Sequence, residues 1–196
     1  VPKVVDHDAR RLELVKVTWR VIARAGIDGA TMREIADHAG FANGALKPYF
    51  ASKGELLAAS FQHVFNLTNE RTERSTAGLS GLAALRTFCH EVLPLDEDRI
   101  LEARIVIPFW QTALTDPDKE QQYAQDMEEW RDQLLGYLAQ ARRAGEVTTT
   151  VPDVQITRHL LSMTMGAQIM AALYQAEYSP DQQIAALDAY LDMLQG

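Results

Sequence analysis

Cysteine occurs once among the 196 residues, at Cys89, so no disulfide can form within the chain. Such usage suits a reducing compartment, and the neighbours Phe88, Val92 and Leu93 give the thiol the character of an inert core residue. Long apolar runs are also missing: nothing approaches the roughly 20 residues needed to cross a bilayer. No signal-peptide pattern is seen, and cytoplasmic residence without a membrane partner is the expectation. Strand-like alternation, internal repeats and low-complexity stretches are absent, which leaves helical periodicity as the organising signal. The sequence also lacks a glycine-rich phosphate loop, a nucleophile elbow and a His-Glu-x-x-His motif. Its five histidines (His7, His38, His63, His90 and His159) fall in no metal-ligand spacing, and Cys89 has no ligand neighbour. Neither a metal, nor a cofactor, nor an enzymatic role is expected.

Basic charge is in deficit overall, with a net of −8, but the deficit is uneven. Through Lys53 the chain holds nine Lys/Arg and six Asp/Glu, a net of +3; the remainder holds ten and twenty-one, a net of −11. Phosphate contact needs a local basic face and not a basic protein. Any DNA contact therefore belongs to the amino-terminal quarter.

That quarter carries the most informative segment. Thr31 and Glu34 are spaced as a capping box, and Met32, Ile35, Ala36 and Ala39 form one apolar face at helical spacing. Gly40 supplies a left-handed position that turns the chain sharply. A second short helix over Asn43–Lys47 then makes a helix-turn-helix, whose second helix can enter a DNA major groove. Pro48 ends that helix, since it lacks an N–H and disfavours the helical conformation at Lys47. Ser52 and Glu55 form a second capping box.

In register, Thr31, Ile35-Ala36, Ala39-Gly40, Gly44-Ala45-Leu46, Tyr49-Phe50 and Lys53-Gly54-Glu55-Leu56 resemble the DNA-binding domain of TetR-type transcriptional regulators. Two positions depart from that pattern: Ala42 stands where many members have Ser, and Lys47 where many have Tyr. The resemblance implies an all-helical homodimer with an amino-terminal DNA reader and a carboxy-terminal ligand-binding and dimerisation domain. It implies DNA contacts at Thr31, Arg33, Asn43, Gly44, Ala45, Lys47, Tyr49 and Lys53. For Arg10, Arg11 and Lys16 in the first helix, the DNA backbone and a solvated surface remain alternatives.

Periodicity extends the all-α reading along the chain, to about nine helices. The first runs from about Asp8 to Ala25. Later ones span about Lys53–Arg74, Leu82–Leu93, Arg99–Thr115 (with a bend expected at Pro108), Pro117–Ala144, Pro152–Gln175 and, from a third capping box at Ser179, the end. The expected division is residues 1–52 for the reader and 53–196 for the remainder. The penultimate helix is apolar on more than one side, which asks for a partner as well as a core. A symmetric interface from the last two helices is expected at Leu161, Met165, Ile169, Leu187, Leu191 and Leu194, with a further apolar edge at Ala186, Tyr190 and Met193.

Aromatic residues make up only 8% of the chain, yet Phe61, Phe65, Phe88, Phe109, Trp110 and Trp130 fall on four helices that should converge. With Met127 and the polar Asn66, His90, Glu102, Gln111 and Gln168 they are the candidate lining of an effector pocket; a packed aromatic core is the alternative. Phe109-Trp110, Asp116-Pro117 and the long helix bearing Trp130 are similar to the carboxy-terminal domain of the choline-responsive BetI-like subgroup. The expected function is a ligand-responsive homodimeric regulator, acting as a repressor on a palindromic double-stranded DNA operator and released by a small-molecule effector. A helical ligand-binding or enzymatic module with a vestigial helix-turn-helix is the other reading.

Overall fold

In a computed structural model, which describes residues 7–42 and 44–196, the polypeptide is built from helices. They are α1 (His7–Gly29), α2 (Met32–His38), α3 (Lys53–Thr76), α4 (Gly81–Val92), α5 (Glu97–Ala113), α6 (Pro117–Arg143), α7 (Asp153–Leu173) and α8 (Pro180–Gln195). Gly26, at φ 68° and ψ 178°, breaks α1 in two, so nine helical segments are present among the described residues. No strand occurs among them, and none of their helices is long and apolar enough to cross a membrane.

Local chemistry explains most boundaries. Asp96 and Asp116 cap α5 and α6 by accepting from backbone amides of the first turn, and Pro117 opens α6 with its φ already set. The turn after α6 closes as a Schellman motif: Glu146 N–H donates to Ala141 O at 2.9 Å and Gly145 N–H to Arg142 O at 3.0 Å. Of the three expected capping boxes, only Ser179 and Gln182 exchange both bonds. Thr31 accepts from Glu34 N–H, but its own single amide proton goes to Gly29 O at 2.9 Å, so the Glu34 carboxylate has no return bond to make. At the start of α3 the Glu55 carboxylate accepts from Ala51 N–H at 2.8 Å instead of from Ser52.

Two apolar clusters hold the helices together. One joins α1, α2, the 44–50 segment and the first half of α3 to Ile105, Val106 and Phe109 of α5. The other gathers α4, α6, α7 and α8 around Phe65 and Trp130. Helix α3 contributes to both, and α5 packs against α1, α3, α6 and α7. It stays helical through Pro108, which has no N–H to donate to the preceding turn. Cys89 is fully buried, and burial pushes its thiol up to about 12, which keeps it protonated and unreactive at neutral pH.

Candidate functional site

Helix α2 ends in a second Schellman motif. Phe41 N–H donates to Ala36 O at 2.9 Å and Gly40 N–H to Asp37 O at 3.2 Å, with Gly40 at φ 71°. The segment beyond differs from the short helix expected there. Residues 44–49 are successive turns: Lys47 N–H donates to Gly44 O at 3.3 Å and Tyr49 N–H to Leu46 O at 2.9 Å, each closing three residues back. Gly44, at φ 86°, cannot belong to a right-handed helix, and Pro48 removes a donor. Asn43 lies outside the described residues. Leu46 and Phe50 are buried as anchors, leaving Gly44, Lys47 and Pro48 exposed and Ala45 and Tyr49 half-buried.

Around this segment the charges divide into paired and free. Arg11 donates to Tyr49 O, lies 4.3 Å from the Phe50 ring centroid and 3.5 Å from Glu55. Lys53 donates to Ile27 O, which fixes the end of α1 against the start of α3. Arg33 and Lys47 are exposed, and neither has an ion-pair partner among the described residues. The Tyr49 ring packs edge-on against Phe41 at 5.9 Å and beside His7 at 4.5 Å.

The aromatic candidates surround a small cavity of about 30 Å³, room for roughly one water molecule. Phe61, Phe65, Trp110, Met127, Trp130 and Gln168 line it, together with Glu102. Five other candidates do not, the exposed Gln111 among them. Phe109 is fully buried behind Phe61, stacked on it at 3.9 Å, and Phe88 sits edge-on behind Trp130 at 5.7 Å. Asn66 is exposed and accepts from Gln62, while His90 is half-buried near Arg86 and Asp188. Burial holds the His90 imidazole below its ordinary pKa.

Sequence reasoning missed part of the lining: Arg99, Tyr123 and Met165, the last having been placed at the subunit interface. Glu102, at the cavity wall, is buried and held bidentately by Arg71 at 2.7 and 2.8 Å, a link between α5 and α3. Arg99 in turn meets Glu91 at 2.7 Å. Burial pushes the Glu102 carboxyl up against the pull of Arg71. Partial burial opposes the Arg71 charge, but Glu102, Glu91 and Asp96 together hold its pKa above the ordinary value. These partners lie 20 to 31 residues from Arg71, beyond any local spacing signal.

Two polar atoms in the lining are buried without a partner among the described residues: Trp110 Nε1 and Gln168 Oε1. Trp130 Nε1, by contrast, donates to Asn69 Oδ1 at 2.7 Å. An orphaned buried donor or acceptor costs about 1–3 kcal/mol, a cost a bound polar group would remove. Asp126, one residue from the lining, is also buried with one carboxylate oxygen unpartnered. Burial, with a smaller push from Glu129, raises it to about 6 despite a hydrogen bond from Gln62.

The expected interface residues separate by depth. Leu187, Leu191 and Leu194 are buried in the chain's own cluster, because α8 turns that stripe toward α4. Leu161 is half-buried and Ile169 exposed. Leu173 and Met193 are the most exposed large apolar residues on α7 and α8, at 68% and 67%.

Residues 81–196 match the family model described as the C-terminal domain of BetI-type transcriptional repressors, and residues 14–60 match that of bacterial regulatory proteins of the tetR family. The transcriptional regulator PksA of Bacillus subtilis is 34% identical over 110 residues, 56% of this chain and 54% of that protein. BetI of Burkholderia thailandensis is 28% identical over 119 residues, 60% and 61% of the two chains. The chain thus spans between half and two thirds of the length of these relatives. A transcriptional regulator from Rhodococcus sp. Rha1 has a similar structure, with a TM-score of 0.82, 26% identity and coverage of 94% and 95%. A Saccharomonospora viridis regulator solved in complex with choline superposes with a TM-score of 0.86 at 18% identity, over 94% and 96% of the two chains, a likeness of fold.

Proposed function

Since the chain belongs to the TetR family of transcriptional regulators, with a BetI-type carboxy-terminal domain, we propose that it is a homodimeric repressor released from its operator by a small molecule. Residues 1–52 are the DNA reader, and residues 53–196 sense the effector and dimerise. The observation that carries this reading is a pair of exposed cations without an ion-pair partner among the described residues: Arg33 on α2, anchored by buried Ile35 and Ala36, and Lys47 on the 44–50 segment, anchored by buried Leu46 and Phe50. Free cations on a rigid support suit phosphate or base-edge contact. Thr31, Asn43, Gly44, Ala45, Tyr49 and Lys53 complete the proposed contact set. Lys53 has one donor on Ile27 O and retains two for a phosphate at the start of α3.

The effector site is the aromatic cavity. Its rings favour an apolar or cationic guest, and Trp110 Nε1 and Gln168 Oε1 offer it polar contacts. With room for about one water, the cavity must expand to admit such a guest, and α3 supplies Phe61, Phe65 and, through Arg71, the link to α5. The same helix begins directly after the reader, so expansion would be felt there. Release requires the effector to bind the expanded form more tightly, since equal affinity for both forms shifts nothing. Dimerisation uses the exposed apolar face of α7 and α8 at Leu161, Ile169, Leu173 and Met193. Residence in the cytoplasm, alongside the DNA, completes the proposal.

A mobility-shift titration with the DNA upstream of its own gene tests the reading, using scrambled DNA as competitor and sedimentation to count subunits. Two chains bound to one specific fragment support it. Failure to prefer that DNA, or a monomer at micromolar concentration, overturns it.

A further inference from the structure

A second cleft, separate from the aromatic cavity, lies where α1 meets α3 and α5 and has a volume of about 500 Å³. Its α1 wall carries Lys16 and Arg20, one turn apart and both exposed, with no ion-pair partner for either among the described residues. Like charges at this spacing repel, and the field is felt locally: burial and then Lys16 hold His63 below its ordinary pKa. On the same helix the Trp19 ring lies half-buried, 5.8 Å from His63, and its Nε1 is buried without an acceptor among the described residues. Leu67 and Leu101 complete the apolar surface, and Asp98 stands on the opposite wall. Flat rings, aliphatic floor and two adjacent free cations together describe a receptor for a planar, singly charged anion.

We propose that this cleft binds a small aromatic carboxylate, its ring against Trp19 and Leu67 and its carboxylate between Lys16 and Arg20. Such a guest relieves the repulsion between the two cations and bridges α1 to α3. The site is independent of the aromatic cavity and of the effector reading given to it.

The chain has three tryptophans, Trp19, Trp110 and Trp130, so three indole N–H resonances report on three places, each assigned by a Trp→Phe variant. Benzoate is titrated into the full chain, with uncharged benzamide as control. The expected result is a saturable shift of the Trp19 resonance with benzoate alone, Trp110 and Trp130 holding still. In K16A/R20A the affinity should fall on the order of tenfold or more, as loss of a charge-assisted pair requires; both side chains are exposed, so the fold is not at stake. Shifts confined to Trp110 or Trp130, equal binding of benzamide, or an unchanged affinity in the double variant would each overturn the proposal. So would a wild-type chain that shows no shift at all. If Lys16 and Arg20 serve DNA instead, the double variant loses DNA affinity while benzoate leaves Trp19 unmoved.

Discussion

Two regions of this molecule treat the same kind of side chain in opposite ways. In the body, Arg71 and Arg99 are half-buried and locked to Glu102 and Glu91 at 2.7 Å. At the reading end, Arg33 and Lys47 stand exposed with no carboxylate partner among the described residues. Arg71 fastens α3 to α5 and Arg99 fastens α5 to α4, whereas Arg33 and Lys47 hold no such link among the described residues. The contrast explains why a net charge of −8 says little about DNA binding: pairing and exposure decide which charges are available, and the sum does not.

The comparison breaks most visibly at Arg71. Replacing it with alanine strands the buried Glu102, and urea unfolding at pH 7 should show a loss of about 2–4 kcal/mol. Lys47→Ala should leave stability within about 0.5 kcal/mol, as surface changes do. Equal losses at the two positions would erase the distinction between fastening and free cations.

A second large effect concerns a carboxylate the body buries without an ion pair among the described residues. Asp126 has its pKa raised to about 6 in the fold, against an ordinary value of 3.8. The folded state therefore holds that proton more tightly, and the contribution is fully present below about pH 4 and is lost as pH rises through 6. Asp126→Asn should accordingly stabilise the protein at pH 7 by about 1–3 kcal/mol, and the advantage should vanish near pH 4. Thermal unfolding of both forms across that range checks the sign.

At the reading end the effects fall on DNA. Arg33→Ala and Lys47→Ala should each cost about 1–3 kcal/mol of operator binding if they touch bases. Equal weakening on scrambled DNA would reassign the residue to the backbone. The smallest effect is expected of Lys53→Ala, which should lower affinity for all DNA alike and reduce the salt slope by about one. An unchanged slope would leave Lys53 with only its bond to Ile27 O.

Elements with their own periodicity and caps were legible in the sequence: α5 to α8 begin and end within two residues of the expected positions, since Asp96, Asp116, Gly145 and Ser179 act locally. The 44–49 segment was not, because a positive φ at Gly44 and a proline four residues on outweigh the helical reading of the residues between. Helical phase placed Phe61, Phe65, Trp110 and Trp130 around one cavity but could not separate Phe88 and Phe109, a layer further in. It could not separate Leu187, Leu191 and Leu194 either, whose stripe faces the chain's own core while Met193 faces out. Pairing across 31 residues, as between Arg71 and Glu102, leaves no mark in any local pattern.

The central claim is that free cations at one end of an acidic molecule read DNA. A fluorescence-anisotropy titration of the full chain against its upstream DNA and a scrambled duplex, between about 50 and 200 mM salt, tests it most directly. The account predicts a linear fall of log K with log salt on both duplexes, and a preference for the upstream sequence of about a thousandfold or more that survives at the higher salt. Binding that ignores salt, or that treats the two duplexes alike at every concentration, would contradict it.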